Sequence, residues 1–459
     1  MAPEHRFSWH SVLPHPVSEV FDWHARPGAF ERLNDPRRPV VVTQSSGSIQ
    51  EGAEVSIRVP VVGPIGLPWH FRHTRYVQNR EFVDEQIRGP FRSWRHEHRF
   101  IPEGETSTGM HDELAYSLPR GCSPLEPFLK RELRRLFSHR HALLRSDLDL
   151  HARWRHKPRK KIVIAGSSGF VGTALQAFLT TGGHEVVRLV RRTPSSSSER
   201  MWDPARGVLD KEVFQGADAV IALSGENIAS GRWTRARKNL IERSRVETTK
   251  LVASVLATLP KPPAVAILAS GVGYYGDTGD SVADESSPLG DGFLPKVCQA
   301  WELAAQPIEH AGIRLAHLRL GTVLNARGGA LRKMLPAFTI GLGGALGNGL
   351  QWMSWIAMQD LLGIVEHVLF TDSLKGPINC VAPQPCRNRE FAQTLGGVIH
   401  RPTAVTAPAL VLKALFGEMA EALLLANSRV VPSALTDSGY KFVFPELTQA
   451  LLFESAELV

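Results

Sequence analysis

"IVIAGSSGFVG", residues 162–172, carries the pattern that decides the fold of this 459-residue chain. Ile162, Val163, Ile164 and Ala165 read as a buried strand, and glycines follow at 166, 169 and 172. In that spacing Gly166 permits a tight turn, Gly169 lets the backbone approach a pyrophosphate, and Gly172 lets a helix pack on the sheet. "GFVGTALQAFLTTG" is that helix, and its free N–H groups and positive end suit phosphate groups. Ser168, Phe170 and Val171 complete the loop. A second strand, "HEVVRLV", follows at the distance a dinucleotide cradle needs.

Outward from the loop, "ADAVIALSG", "PAVAILAS" and "IRLAHLRLG" are further buried strands separated by helical stretches. Strands alternating with helices predict an α/β, doubly wound parallel sheet. At the end of "VVRLVRR" an NAD-specific site would carry Asp or Glu for the ribose 2′-hydroxyl. Arg191 and Arg192 stand there instead. A guanidinium suits a 2′-phosphate, which favours NADP(H) over NAD(H), and the competing reading is two ordinary surface arginines. From about residue 341 the alternation breaks into a Gly-rich loop feeding a helix, and residues 402–451 read as a small helical tail.

Upstream of the loop, "HARWRHKPRKK" is a charged stretch with a proline lying directly before the first buried strand, which marks a domain boundary. Before it come an alternating strand, "RFSWHSVLP", and a helical stretch, "VSEVFDWHARPGAFERL". Six short strands follow, "VVVTQ", "AEVSIRVPV", "WHFRHTRYV", "EFVDEQI", "SWRHEHRFI" and "MHDELAYSL", and a long amphipathic helix at about 124–148 closes the segment. That order is α+β, a curved antiparallel sheet wrapping its last helix in a helix grip. The expected domains are 1–150 (helix grip), 151–161 (basic linker), 162–400 (Rossmann) and 401–459 (helical subdomain).

At 43% hydrophobic and 21% charged residues the chain has a globular composition. Four scattered cysteines without CxxC spacing argue against a disulfide framework or a zinc knuckle and fit a reducing cytoplasm. No run reaches the roughly 18 apolar residues of a spanning helix. The net charge of +8 is concentrated in "KRELRRLFSHRHALLR" and the linker. With no recognition motif beside them these read as a solvated helix face and a linker, not a nucleic-acid surface; a membrane-surface contact is the weaker reading.

On "GSSGFVG", "MWDPARGVLD", "ADAVIALSGENIASGRWT", "SRVETTKLV", "ASGVGYYGDTG", "VCQAWELAA", "LRLGTVLNARGGAL", "GLGGALGNGLQWMSWI" and "NCVAPQPCRNREFAQTL", the chain from Lys161 onward resembles an atypical branch of the extended short-chain dehydrogenase/reductases, the epimerase-like oxidoreductases with a C-terminal domain of unknown function. Residues 1–150 resemble the START-like, polyketide-cyclase-type family, most specifically in "FVDEQIRGPFRSWRHEHRF" and "DELAYSLP". The second resemblance implies an apolar or aromatic ligand between sheet and helix, against a closed core used only for docking. The first implies that Leu223, Ser224 and Gly225 flank the cofactor, with Arg245 and Thr322 as further contacts, and it is compatible with a homodimer acting on a small molecule.

The family's catalytic residues do not carry over. Counting places Gly271 at the usual Ser or Thr, Leu294 at the tyrosine and Cys298 at the lysine of the proton-transfer pair, and Ala357 where relatives carry a histidine. Ser270, Tyr274 and Tyr275 stand close enough to act as donors, Tyr275 or Ser270 first, the competing reading being tyrosines that pack on the cofactor. Glu226 is a candidate substrate carboxylate or an orienter of Arg232, and Glu302 reads as an ion pair within its own helix. His96 and His98 share a strand face, but no third ligand is evident in sequence, so no metal site is expected. Cys298 reads as a buried small residue because nothing shows a partnering base.

Overall fold

The structure is a computed structural model that describes residues 4–62 and 65–457. It forms two compact units, the first of residues up to 156 together with 180–183 and those from 455, the second of residues 157–179 and 184–454.

In the N-terminal unit the strands β1 (His5–Leu13), β2 (Val41–Ser45), β3 (Glu54–Val62), β4 (Ile65–Val77), β5 (Glu81–Arg88), β6 (Ser93–Pro102) and β7 (Thr108–Ser117) form one antiparallel sheet. Its order is β1-β7-β6-β5-β4-β3-β2, so the first strand closes onto the last. The expected helical stretch divides into α1 (Val17–Ala25) and α2 (Ala29–Leu33), because Pro27 and Gly28, with φ +94°, break it. The long helix α3 runs over Glu126–Ala152. Leu133, Phe137, Leu144 and Leu148 bury one of its stripes, and each such side chain contributes about 1.5–3 kcal/mol.

That helix corrects one expectation. Arg135, His139 and His141, within the basic run read as a solvated face, are buried. Arg135 bonds Asp35 at 2.5 Å and His141 bonds Asp112 at 2.5 Å. A charge pattern alone does not reveal carboxylates on distant elements that neutralise it. Two apolar clusters line this interior, one with Phe7, Tyr116 and Phe137, the other with Phe21, Phe100 and Leu144.

The second unit is built on β8 (Lys161–Ala165), α4 (Phe170–Thr181), β9 (Glu185–Val190), β10 (Glu199–Asp203), β11 (Val208–Leu209), β12 (Ala219–Ala222), α5 (Arg235–Leu256), β13 (Val265–Gly271), α6 (Phe293–Leu303) and β14 (Arg314–Leu320). The strand Gly376–Cys380 completes the sheet in the order β11-β10-β9-β8-β12-β13-β14-(376–380). Every pairing is parallel except the β10–β11 hairpin. β8 and β12 are neighbours with the chain order running outward on both sides, so the crevice above their carboxyl ends is the topological switch point where ligands sit in such sheets. Val163, Val220, Ala266 and Leu315 on adjacent strands share one core. The C-terminal helices, including Ala409–Phe416 and Leu447–Glu454, belong to this unit, and no described helix is long and apolar enough to cross a membrane.

Candidate functional site

The turn after β8 is built as its glycines require. Gly166 has φ +86°, and a Cβ there would lie 2.8 Å from the backbone of Leu223. The loops after β8 and β12 therefore touch, which brings Gly166 together with Leu223 and Ser224, with Gly225 next in the same loop. At Gly172 a Cβ would fall 2.1 Å from the Gly166 carbonyl oxygen. The Gly169 N–H donates to that same oxygen at 3.0 Å and the Thr173 N–H to the Gly169 oxygen at 2.9 Å, which starts α4. Ser168 and Gly169 are exposed at the tip, Val171 is half-buried, and the Phe170 ring packs on Gly328 and Gly329.

The two arginines after β9 differ in their bonding. Arg192 is engaged on Glu199, with contacts of 2.8 and 2.6 Å. Arg192 and the Ser195 amide and hydroxyl hold the Glu199 carboxyl down to about 2. Arg191 is exposed. Arg245, on α5, donates to the carbonyls of Ile241 and Glu226, each at 2.9 Å, and lies over the Trp301 ring. A Cβ at Gly225 would meet its guanidinium at 3.1 Å, so Arg245 shapes the loop after β12. Thr322 lies farther on, its amide donating to Ser354 at 2.8 Å.

The positions counted as the missing proton-transfer set come together in space. A Cβ on Gly271 would lie 3.9 Å from the Cys298 sulfur, and one on Gly273 3.3 Å from Leu294. Burial and the neighbouring Glu302 push the Cys298 thiol up to about 12, which keeps it neutral. Ala357 is buried as well.

Beside this apolar triplet runs a buried polar chain. The Ser270 hydroxyl donates to Glu302 at 2.7 Å, and Arg319 grips both oxygens of Glu302 at 2.9 and 2.8 Å. Arg319 also donates to the Tyr275 hydroxyl at 2.9 Å, which in turn donates to Asn379 at 2.8 Å. The guanidinium lies 3.5 Å from the Tyr274 ring centre. Burial raises the Tyr275 phenol to about 12 against the pull of Arg319. Burial opposes ionisation of Glu302, yet Arg319 and Ser270 hold its carboxyl below the usual range. Glu302 thus pairs across to Arg319 on β14, which corrects the sequence expectation of an ion pair within its own helix. Ser270 and Tyr275 share this network, whereas Glu226 stands outside it, bonded to Arg237 at 3.0 Å. Sequence reasoning missed Arg319 and Asn379; the available signal was an arginine inside a buried-strand pattern, which needs a partner.

The N-terminal unit gathers a second polar cluster. Register places His73, Asp84 and His96 side by side across β4, β5 and β6, and His98 beside Asp112 across β6 and β7. Asp112 Oδ1 lies 2.9 Å from His96 Nε2 and 2.6 Å from His98 Nδ1, while its Oδ2 lies 2.5 Å from His141 Nε2. His141 is held from its other nitrogen by the Ser11 hydroxyl at 2.6 Å. Burial opposes the charged form of His96, but Asp112 and Asp84 lift its pKa to about 9. Asp84 supplies the third candidate ligand that the sequence did not reveal beside His96 and His98.

Residues 162–379 match the NAD dependent epimerase/dehydratase family, residues 13–142 the polyketide cyclase / dehydrase and lipid transport family, and residues 407–453 a domain of unknown function. An epimerase family protein of Mycobacterium tuberculosis is 41% identical over 290 residues, 63% of this chain and 96% of its own length. The human epimerase family protein SDR39U1 is 38% identical over 63% of this chain and 98% of its own. A crystal structure described as the nucleoside-diphosphate sugar epimerase of Corynebacterium glutamicum superposes with a TM-score of 0.80 at 31% identity, covering 98% of this chain and 90% of that one. The crystal structure of human SDR39U1 with NADPH superposes with a TM-score of 0.60 at 36% identity over 64% of this chain and 99% of that one. The glycine turn, the parallel sheet and these matches agree: the chain belongs to the epimerase family, with a Rossmann domain of the extended short-chain dehydrogenase/reductase type, the C-terminal domain of unknown function, and an N-terminal domain of the polyketide cyclase type.

Proposed function

We propose that the chain binds NADP(H) in the crevice above β8 and β12 and works as an oxidoreductase or epimerase-like enzyme on a small molecule. The observation that carries this reading is the glycine turn, whose close approaches leave no room for a Cβ at Gly166 or Gly172 while Ser168 and Gly169 stay exposed for phosphate. The residues fit the cofactor: Gly166, Ser168, Gly169, Phe170, Val171 and Gly172 would hold the pyrophosphate, Leu223, Ser224, Gly225, Arg245 and Thr322 would flank it, and Arg191 and Arg192 would meet the 2′-phosphate. The NADPH in the structure of human SDR39U1 supports the same assignment. NADP(H), when bound, supplies hydride chemistry; the chain supplies binding, orientation and a proton route. An apolar or aromatic ligand is proposed for the N-terminal domain, in keeping with its family.

Native mass spectrometry of the full-length protein, followed by titration with NADPH and NADH, tests the reading. One NADPH per chain, bound more tightly than NADH, is the expected result. Arg191→Ala should weaken NADPH by about tenfold or more, the loss of one charge-assisted contact, and leave NADH nearly unchanged. Arg192→Ala should cost less, because its guanidinium already serves Glu199. A chain that carries no cofactor and refuses added NADPH overturns the proposal.

A second reading, a non-catalytic NADP(H)-binding sensor or assembly protein, is favoured by the triplet Gly271, Leu294 and Cys298 standing where proton-transfer groups are usual. Turnover separates the two. With Ser270 and Tyr275 as proton donors, Ser270→Ala or Tyr275→Phe should abolish NADPH consumption while NADPH affinity stays within about twofold. Unaltered turnover in both variants would sink that assignment, and no turnover with a panel of carbonyl compounds would favour the sensor. Glu226→Gln, which loosens only the Arg237 pair, serves as the probe of a substrate contact.

A further inference from the structure

We propose that Asp84, His96 and His98 form a binding site for a divalent first-row transition ion, such as zinc or iron(II), inside the N-terminal domain. The three residues come from adjacent strands, β5 and β6, and face one another because Asp84 pairs with His96 in register and His98 lies two residues further along the same face. One donor atom from each lies within 4.8 Å of the other two. Asp84 Oδ2 stands 3.4 Å from His96 Nδ1 and 3.7 Å from His98 Nε2. These are long for hydrogen bonds, and they match the separation of about 3.3 Å between ligands held roughly 2.0–2.1 Å from one tetrahedral ion.

The outer nitrogens make the stronger argument. A histidine that binds a metal through one nitrogen usually turns its other N–H to a carboxylate, which orients the ring. His96 does so, its Nε2 lying 2.9 Å from Asp112 Oδ1 in a hydrogen bond, and His98 Nδ1 lies 2.6 Å from the same oxygen. The His98 contact is off hydrogen-bond alignment. Asp112, 1% exposed, is fixed in turn by His141 and, through it, by Ser11. Two imidazoles and one carboxylate in front, with a buried carboxylate behind, is the donor set of a three-ligand metal site that keeps a position open for water or a substrate atom. Asp84 and His98 retain 17% and 11% side-chain exposure, which leaves an approach.

Two further histidines border the cluster with spare nitrogens. His24 Nδ1 bonds the Val20 carbonyl at 2.8 Å, while its Nε2, buried, has no partner among the described residues; the ring lies 6.1 Å from that of His98. His73, beside Asp84 in register, has a buried Nδ1 in the same condition. The competing account of the cluster is a metal-free network in which protonated imidazoles neutralise Asp84 and Asp112, and it makes opposite predictions.

The full-length protein, stripped with a chelator, is titrated with Zn²⁺ and with Co²⁺ as a coloured stand-in. One equivalent of each should bind, with visible d–d bands for cobalt and a rise in the melting midpoint of the domain that holds the site. Asp84→Asn should weaken binding by about 100-fold or more and Asp112→Asn by about 10–100-fold, with circular dichroism unchanged in both. A wild-type protein that binds no stoichiometric ion and melts alike with zinc and with chelator, or an Asp84→Asn variant that binds as tightly as wild type, overturns the site in favour of the protonated network. Should Asp84→Asn fail to fold, X-ray absorption of the zinc-loaded wild type decides: two imidazoles in the first shell support the site, and fewer overturn it.

Discussion

Gly172→Val should abolish measurable NADPH binding, a loss of about 100-fold or more in affinity on the scale of a disrupted phosphate turn. Even the first carbon of a side chain at residue 172 would sit 2.1 Å from the Gly166 carbonyl oxygen and 2.8 Å from the Ser167 Cα. Both are backbone atoms, so no rotamer relieves the clash and the turn itself must open. Opening it moves the Gly169 N–H away from the Gly166 oxygen, where it donates at 3.0 Å. It also misaligns the first N–H groups of α4, the groups that would meet phosphate. Overpacking of this kind also costs about 1–3 kcal/mol of stability. Gly169→Ala is the control. Its Cβ would lie 3.2 Å from the Gly166 oxygen at an exposed tip, so the fold should survive while cofactor affinity falls. Titration by NADPH fluorescence, with melting curves alongside, reads both effects; undiminished affinity in Gly172→Val would count against the cradle.

Arg319→Met should produce the largest loss of stability of any single change in the second unit's polar chain, about 3–5 kcal/mol, on the order of 10 °C in the melting midpoint for a unit of this size. Arg319 is buried and serves Glu302 twice and Tyr275 once. Its removal strands a mostly buried carboxylate whose remaining partner is Ser270. Arg319→Lys keeps the charge but loses the two-pronged grip and the stacking on Tyr274, so it should fall between the two. The pH dependence has a definite sign. Glu302 titrates lower in the folded chain than in the unfolded one, so its contribution is complete above the unfolded value of about 4.3. It is lost as pH falls through the folded value. Arg319→Met should therefore flatten the acid limb of stability against pH, and an unchanged limb would show that the pair is not what holds Glu302 ionised.

Local pattern made much of this fold readable. The glycine turn, the buried strands and the helices between them depend on residues within a few positions of each other, so spacing alone located β8, α4 and β9. The seven strands of the N-terminal sheet were legible for the same reason, through period-two alternation and Gly or Pro at the turns. Family motifs extended the reading to Leu223, Ser224 and Gly225, the first two of which the structure brings against Gly166. The absence of Tyr and Lys was also a matter of counting, and Gly271, Leu294 and Cys298 do stand together. Basic residues in α3 were misread because their partners lie on other elements, as with Arg135 and Asp35, 100 positions apart.

Sequence by itself determined most of the secondary structure, the doubly wound sheet, the family and the glycine turn, all of which follow from short-range periodicity or contiguous motifs. Tertiary structure alone decided which charged groups meet. Arg319 finds Glu302 across 17 positions and Tyr275 finds Asn379 across 104. Asp112 joins His96 and His141 across 16 and 29. Strand register and helix packing set those distances, and a buried charge survives only where they bring its partner within about 3 Å. No local rule encodes that coincidence, which is why the polar networks of both units emerge only from the folded chain.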